Sequence, residues 1–379
     1  MKVAVAIDSF KGSLSTFQSG EAVGRGVRRV YSDAEIIVCP LADGGEGTVA
    51  AIVAGCDGEM RRTVATDPLG NKISCEYGII PADGTAVIEM SAAAGITLVK
   101  PEERDPMVTT TYGVGEIIAD AIKNGCRNFI IGIGGSATND GGVGMLSALG
   151  FEFLDKNRAP IARGAEGLKD LREIRIDQAL PELSECEFHI ACDVKNPLCG
   201  ENGCSRIYGP QKGATPETIE LMDEWLGNYA ALTSNVIKNA DGTYPGSGAA
   251  GGMGFAFMSY LGGRLESGIE LVIGVTGIEE KLKSADVVVT GEGRLDGQSC
   301  MGKAPVGIAC AAKKYGKPVL AFSGCVTPDA RQCNEHGIDA FFPILKAPCS
   351  LEDAMDIENA SENLADTAEQ AFRIIKAFS

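Results

Sequence analysis

Short apolar runs that end in glycine- or aspartate-rich loops, each followed by a helical pattern, dominate this sequence of 379 residues. Residues 2–7 (KVAVAI) lead into DSFKG, residues 128–133 (NFIIGI) into GGSATNDGG, and residues 286–290 (DVVVT) into GEGRLDG. Apolar runs of roughly four to eight residues bounded by turn signals are typical of buried strands. Because strands that alternate with helices form mostly parallel sheets covered by helices on both faces, the pattern predicts an α/β fold.

The length of the chain and one interruption of this pattern predict two domains. A chain of 379 residues is too long for one compact core. Residues 60–99 alternate apolar and polar positions around the turn signals DPLGN and PADGT, which predicts hairpins. We therefore expect a discontinuous Rossmann-like parallel-sheet domain with a second α/β domain inserted into it. The expected Rossmann-like domain comprises residues 1–60, 100–150 and 281–379, and the inserted domain comprises residues 61–99 and 151–280.

Composition limits the classes of partner and of site. The formal net charge is −17, whereas affinity for nucleic acid comes from lysine and arginine on phosphates, so no nucleic-acid partner is expected. Neither a membrane helix nor an export signal is recognisable, which predicts a cytoplasmic protein without a membrane partner. Two histidines leave little material for a histidine zinc site or a Ser-His-Asp triad. Thirteen cysteines without a CxxC pair are expected to be reduced thiols.

Five aspartates stand directly after predicted strands or in the loops that follow them. In open α/β sheets, ligands bind outside the carboxyl ends of the strands, so these side chains are expected to meet in one cleft. Glycine loops and helix starts attract phosphate, and carboxylates beside a phosphate need a cation such as Mg²⁺ between them. Each aspartate alone also fits an ordinary turn or helix cap, so the set carries the argument. The aspartates are Asp8, Asp43, Asp140, Asp193 and Asp296.

Three glycine-rich stretches allow other interpretations. GIGGSA at 132–137 fits the dinucleotide fingerprint, with Asp155 as the ribose-binding acid, and favours an NAD-dependent dehydrogenase. GQSCMGKA at 297–304 nearly fits a phosphate loop, but Ala304 replaces the required hydroxyl residue. GSGAAGGMGFAF at 246–257 fits either a phosphate loop or close helix packing. A binding module that senses a nucleotide or an acid without turnover is the non-enzyme alternative.

Six strings in order resemble the glycerate kinase type-1 family: DSFKGSLS, PLADGGEGT, GIGGSATNDGG, ACDVKNPLCG with IYGPQKGA, PGSGAAGGMG, and TGEGRLDGQS. The likeness runs over nearly the whole chain. It implies the two-domain fold of that family, which is distinct from P-loop kinases. It also implies transfer of the ATP γ-phosphate to D-glycerate with Mg²⁺, to the 2-hydroxyl as in most bacterial members. The oligomeric state stays open, a homo-oligomer included.

Within that activity the loop residues receive expected roles. Because histidine is scarce, an aspartate is expected to accept or orient the hydroxyl proton, with Asp193 the first choice and Asp43 the second. Lys11 and Arg294 are expected to neutralise the substrate carboxylate and the transferring phosphoryl group. Asp193 and Asp296 are expected to hold Mg²⁺. The expected substrate-binding residues are Asp8, Ser9, Gly44 and Gly45. The expected ATP-binding residues are Gly134, Gly135, Ser136, Thr138, Asn139, Asp140 and Lys212.

Overall fold

The computed structural model describes residues 1–378, which form thirteen β-strands and thirteen α-helices. The strands are β1 (Lys2–Ile7), β2 (Glu35–Val38), β3 (Glu59–Thr66), β4 (Lys72–Ile80), β5 (Thr85–Glu89), β6 (Asn128–Gly132), β7 (Glu152–Leu154), β8 (Glu173–Arg175), β9 (Glu187–Ala191), β10 (Arg264–Glu266), β11 (Val287–Leu295), β12 (Val319–Val326) and β13 (Ala340–Pro343). The helices are α1 (Thr16–Arg28), α2 (Thr48–Gly55), α3 (Ser91–Ala94), α4 (Tyr112–Lys123), α5 (Val143–Ala148), α6 (Cys204–Tyr208), α7 (Pro216–Val236), α8 (Ala249–Leu261), α9 (Gly268–Thr276), α10 (Ile278–Ser284), α11 (Ala304–Lys313), α12 (Leu351–Met355) and α13 (Ile357–Phe378). Within this described range, no helix combines the length and the apolar character that crossing a bilayer requires.

The chain divides into two compact units. Unit 1 comprises Met1–Asp43, Ala50–Asp57 and the chain from Ser267 onward, and unit 2 comprises Gly44–Val49 and Gly58–Glu266. Each unit contains a sheet with parallel strands and its own helices. The predicted α/β class is therefore confirmed.

The division differs from the expected one most at residues 100–150; residues 44–49 and 58–60 also lie in unit 2, and residues 267–280 lie in unit 1. The segment 100–150 lies in unit 2 and not with the N-terminal strand. Its strand β6 pairs in parallel with β5 on one side and with β9 on the other, which places it inside the sheet of unit 2. An apolar run that ends in a glycine loop has the same appearance in either sheet. The pattern therefore predicts the strand without indicating which sheet it joins.

Unit 1 is built on a five-stranded parallel sheet in the order β13-β12-β11-β1-β2. Val3, Val5 and Ile7 of β1 share a core with α1 and α13, while α10 and α11 also contact β1. Counted along the unit, the strand order is 2-1-3-4-5, a known doubly wound arrangement. The order reverses between β1 and β11, and ligands of such sheets bind at that point, outside the carboxyl ends of the strands.

A capping box formed by Ser15 and Gln18 marks the start of helix α1. The Ser15 hydroxyl accepts a hydrogen bond from the Gln18 amide at 3.2 Å, and the Gln18 side chain accepts one from the Ser15 amide at 2.9 Å. This capping box satisfies two amides that the first turn of a helix leaves without partners. Further along α1, a Cβ atom at Gly26 would lie 2.1 Å from the carbonyl oxygen of Ala365 in α13. Only glycine allows the two helices to pack this closely.

Unit 2 is built on a six-stranded mixed sheet in the order β10-β9-β6-β5-β4-β3. Strands β3, β4 and β5 pair antiparallel, which confirms the hairpins predicted over residues 60–99, whereas β5, β6, β9 and β10 pair in parallel. Glu89, Gly132 and Ala191 are aligned at the carboxyl ends of β5, β6 and β9. The loops after these three strands therefore leave the sheet at the same edge. Strands β7 and β8 form a separate antiparallel pair.

Candidate active site

A cavity of about 420 Å³ lies at the carboxyl ends of β1 and β11 in unit 1. This is the point where the strand order reverses, so it is the expected ligand position for a doubly wound sheet. Strand β11 is longer than the sequence predicts, because it stays paired with β12 as far as Leu295 opposite Val326. The string GEGRL is therefore strand and not loop. The charged residues that line this space, named the β1–β11 cavity, are Asp8, Lys11, Glu292, Arg294, Asp296 and Lys303.

Asp8 is buried at the end of β1, where 2% of its surface is exposed. Its carboxylate accepts a hydrogen bond of 2.7 Å from the amide of Ser9. The pKa of Asp8 is raised to about 7, mainly by burial and also by the negative charges of Asp43 and Glu292, while the Ser9 amide and Lys11 oppose the change. A carboxyl group with this pKa is present in both protonation states near neutral pH.

Glu292 is a residue of the β1–β11 cavity that the sequence-based predictions omit. Its carboxylate accepts a hydrogen bond from the Ser299 hydroxyl. Burial raises the pKa of Glu292, while the Ser299 hydrogen bond and the positive charge of Lys303 lower it. Alternate residues of a strand face the same side, so Glu292 and Arg294 share one face of β11. That period of two would have indicated Glu292, had the strand been extended past Thr290.

Asp296 directly follows β11, and its carboxylate accepts hydrogen bonds from the turn that comes after it. One carboxylate oxygen accepts hydrogen bonds from the amides of Gln298 at 2.9 Å and Ser299 at 3.3 Å. The other oxygen lies 3.3 Å from Nε of Arg294, whose side chain is exposed. Both oxygens of Asp296 therefore already have partners in the protein.

The acidic side chains of the cavity are possible ligands for a metal ion. Among residues 1–378, no group of three or more His, Cys, Asp or Glu side chains is arranged to hold a metal ion. Mg²⁺ usually keeps several waters and binds one or two carboxylates together with substrate phosphates. Asp8, Glu292 and Asp296 supply carboxylate oxygens, the kind of ligand that such an ion prefers.

In unit 2, the loop after β6 is largely closed to solvent. This segment, residues 134–142, is named the glycine loop. Gly134 and Gly135 reach the surface, whereas the predicted ATP-binding residues that follow are buried. Those buried residues are Ser136, Thr138, Asn139 and Asp140. Only the first two glycines of the loop are therefore accessible to a ligand.

The buried carboxylate of Asp140 stabilises the glycine loop through hydrogen bonds. Asp140 is 1% exposed, and its carboxylate accepts hydrogen bonds from the Thr111 amide at 2.8 Å and from the Thr111 hydroxyl at 2.9 Å. The amides of Gly142 and Gly144 donate to it at 3.1 and 3.3 Å. Burial raises the pKa of Asp140, and these hydrogen bonds lower it. The carboxylate thus joins the loop to the first residues of α5 and to the segment before α4.

Lys212 is also buried, at 2% exposure, and supports the same loop. Its ammonium group donates to the Ser136 hydroxyl at 2.8 Å and to the Thr138 carbonyl oxygen at 2.6 Å. Burial lowers the pKa of Lys212 to about 8. The side chain is therefore directed into the protein beneath the glycine loop, where the sequence suggested a cation that faces the nucleotide.

The stretch GSGAAGGMG packs directly against the glycine loop. A Cβ atom at Gly251 would lie 2.2 Å from the Thr138 carbonyl oxygen, and one at Gly252 would lie 2.7 Å from Cα of Gly141. Both glycines have positive φ angles, of +68° and +96°. Positive φ favours glycine, and such a close approach leaves no room for a Cβ atom. The structure thus favours close packing over a phosphate loop for this stretch.

The remaining predicted residues of unit 2 lie along its carboxyl edge. A Cβ atom at Gly134 would lie 3.1 Å from Cα of Gly45, so the segment that begins at Gly44 runs beside the start of the glycine loop. Glu89, at the end of β5, accepts a hydrogen bond from the amide of Val49 at 2.8 Å. Burial raises the pKa of Glu89. Asp193 is exposed two residues beyond the end of β9.

Comparison with known proteins decides the family. A model of the glycerate kinase family matches residues 3–376. The chain belongs to the glycerate kinase family. An Escherichia coli K12 protein named glycerate 2-kinase is 46% identical over 372 residues, which cover 97% of this chain and 98% of the relative. A Bacillus subtilis glycerate kinase is 41% identical over 376 residues, with 99% and 98% coverage. A crystal structure assigned as glycerate kinase 2 from Salmonella typhimurium LT2 superposes with a TM-score of 0.89 at 44% identity, covering 100% of this chain and 98% of that one.

Membership of the glycerate kinase family confirms the resemblance and the expectation of a kinase, and the geometry argues against a dinucleotide site. Asp155 follows β7 in the separate antiparallel pair, and the amides of Asn157 and Ala159 donate to its carboxylate, both at 2.8 Å. Helix α5 begins at Val143, six residues beyond the end of GIGGSA. The fingerprint requires a helix that opens at the glycines and an acid that can reach the ribose. In this chain neither condition is met.

Each unit of the chain brings a different part of the predicted site together. Asp8, Ser9, Lys11, Arg294 and Asp296 line the β1–β11 cavity of unit 1, and Asp43 of the same unit acts on the pKa of Asp8. The other predicted residues belong to unit 2. The gathering of all five aspartates in one cleft stays a prediction.

Proposed function

We propose that this chain transfers the γ-phosphoryl group of ATP to D-glycerate and releases 2-phosphoglycerate and ADP. Membership of the glycerate kinase family supports the reaction. The relative named glycerate 2-kinase supports the 2-hydroxyl as the acceptor. The observation that carries the proposal is the β1–β11 cavity, in which a buried carboxylate lies beside the cations Lys11, Arg294 and Lys303.

The cavity offers the groups that phosphoryl transfer requires. Catalysis of this reaction consists mostly of positioning the reactants and neutralising charge. Arg294 is suited to bind a planar carboxylate through two hydrogen bonds, and Lys11 supplies a second positive charge. Mg²⁺ bound to the triphosphate would neutralise its charge, and Asp193 and Asp296 are the residues expected to hold it. Because both oxygens of Asp296 have partners, a water-mediated contact suits that residue best.

The nucleotide and the remaining roles complete the proposal. Gly134 and Gly135 are the accessible part of the glycine loop and are proposed to approach the ATP phosphates, while the buried residues behind them keep the loop rigid. Asp193, with Asp43 as second choice, is the proton acceptor expected from the sequence. A cytoplasmic location and a homo-oligomeric state are further expectations.

Phosphorus NMR tests the reaction and its regiochemistry together. The purified protein is incubated with D-glycerate and Mg-ATP, and the resonances of 2-phosphoglycerate and ADP are expected to grow at equal rates. A parallel sample without glycerate measures ATP hydrolysis alone. Formation of 3-phosphoglycerate would contradict the choice of hydroxyl, and the absence of glycerate-dependent ADP would contradict the kinase activity itself.

A further inference from the structure

We propose that Asp8 accepts the proton of the attacking glycerate hydroxyl, and that Glu292, held by Ser299, is a positioning residue that keeps Asp8 competent for this step. The inference rests on the proposed function and concerns the same cavity. It assigns the proton acceptor to a residue that the sequence suggested only for substrate binding. It also gives a role to Glu292, which the sequence-based predictions omit.

The hydrogen bonds of the carboxylates distinguish Asp8 from Asp296 and Asp140. Within the described residues, the Ser9 amide is the one group that donates to the Asp8 carboxylate, which lines the cavity. Asp296 has partners on both oxygens. Asp140 accepts hydrogen bonds from four groups and is sealed inside unit 2. A general base needs a free lone pair within reach of the proton that it removes, and of these three aspartates Asp8 meets that condition best.

The charges around Asp8 favour proton uptake near neutral pH. Asp43 and Glu292 present negative charge to it and Lys11 presents positive charge. The other charged groups of the cavity lining are Arg294, Asp296 and Lys303. Burial and the two carboxylates together raise the pKa of Asp8 to about 7. An acceptor works best when its pKa lies close to the working pH, whereas an ordinary aspartate is a weak base.

The proposed step balances in atoms and charge. The glycerate hydroxyl oxygen forms a bond to the γ-phosphorus of ATP. The bond between that phosphorus and the β,γ-bridging oxygen breaks, and its electron pair stays on the oxygen that becomes part of ADP. The hydroxyl proton passes to the Asp8 carboxylate and is released to solvent after the product leaves.

The test is the pH dependence of kcat/KM for D-glycerate at saturating Mg-ATP. The wild-type activity is expected to fall on the acid side with a midpoint near the Asp8 pKa of about 7. Asp8→Asn is expected to lower kcat by about a hundredfold or more, while ATP still raises the melting temperature of the variant. Glu292→Gln removes a negative charge and is expected to shift the acid midpoint down by about half a pH unit. Asp33→Asn, on the exposed turn before β2, is the charge-matched control and should match the wild type.

The outcomes distinguish this inference from the proposed function. A wild-type protein that phosphorylates no glycerate overturns the proposed function. A wild-type protein that does so, together with Asp8→Asn within tenfold of its kcat, overturns the role of Asp8 alone, and a large loss in Asp193→Asn would then identify Asp193 as the acceptor. An acid midpoint that is identical in wild type and Glu292→Gln overturns the role of Glu292. That comparison stands even if the Asp8 variant fails to fold.

Discussion

Asp8 in unit 1 and Asp140 in unit 2 arise from the same sequence pattern, an apolar strand that leads into a glycine-containing loop, yet they have opposite surroundings. Both are almost fully buried. Asp8 has one hydrogen-bond donor and lines a cavity beside three cations. Asp140 has four donors from its own and neighbouring backbone and hydroxyl groups. A buried carboxylate with many donors stabilises a loop, whereas one with few donors retains a lone pair for chemistry.

The comparison extends to the cations of the two loops. Lys11 and Arg294 are exposed at the β1–β11 cavity, where they can meet a ligand. Lys212 is buried and has partners inside the glycine loop. The glycine loop is thus held by buried hydrogen bonds, and Gly134 and Gly135 are its accessible residues. The loops around the β1–β11 cavity instead leave charged side chains available.

The largest effect expected from this contrast is a loss of stability in Asp140→Asn. The NH₂ group of the asparagine would face backbone amides that now donate to the carboxylate. Two hydrogen-bond donors would then face each other, and the backbone amides would lose their acceptor. We expect the free energy of unfolding to fall by about 3–5 kcal/mol, as when one member of a buried hydrogen-bonded set is removed. Urea denaturation at pH 7.5 measures the change.

Asp155→Asn is the matched control for that experiment, because Asp155 also accepts amide hydrogen bonds in a tight turn but is only partly buried. Its stability should stay close to that of the wild type. A stability of Asp140→Asn that is equally unchanged would show that the carboxylate does not hold the glycine loop.

Asp8→Asn is expected to raise the free energy of unfolding, by less than Asp140→Asn lowers it. Folding raises the pKa of Asp8 from 3.8 to about 7, so the folded protein binds a proton that the unfolded chain has released between these two pH values. The stability that Asp8 contributes is complete below about pH 4 and is lost as the pH rises through 7. We therefore expect Asp8→Asn to be more stable than the wild type by about 2–4 kcal/mol at pH 8 and nearly equal to it at pH 4.

Paired urea titrations of the wild type and Asp8→Asn at these two pH values measure the difference. Asp33→Asn serves as the control for loss of one surface charge. An Asp8 variant that is less stable than the wild type at pH 8 would mean that Asp8 resembles Asp140, with a structural role.

Much of the fold was predictable from the sequence because it depends on local patterns. Apolar runs with turn signals indicate the strands, and the Ser15–Gln18 capping box marks the start of α1. Which sheet β6 joins depends on pairing between distant strands, and no local pattern encodes that pairing. The continuation of β11 past Thr290 likewise depends on its partner β12, since glycine-rich GEGRL is typical of a loop.

The site was predictable to the level of residue type and position, and not to the level of role. The strings that follow the strands predict Asp8, Lys11, Arg294 and Asp296, which do line one cavity. Burial and the number of donors decide what each carboxylate can do, and both depend on residues far away in the sequence. Lys212 illustrates the limit, because nothing beside it in the sequence indicates that its ammonium group is buried.

The most direct test of the account is the protonation of Asp8 itself. Carbon-13 NMR of protein labelled at the aspartate side-chain carboxyl groups, titrated from pH 4 to 9, follows that group, and the resonance missing from Asp8→Asn assigns it. A midpoint near the expected value of about 7 would support Asp8 as a carboxylate short of donors and ready to accept a proton. A midpoint near the ordinary aspartate value of about 4 would contradict it.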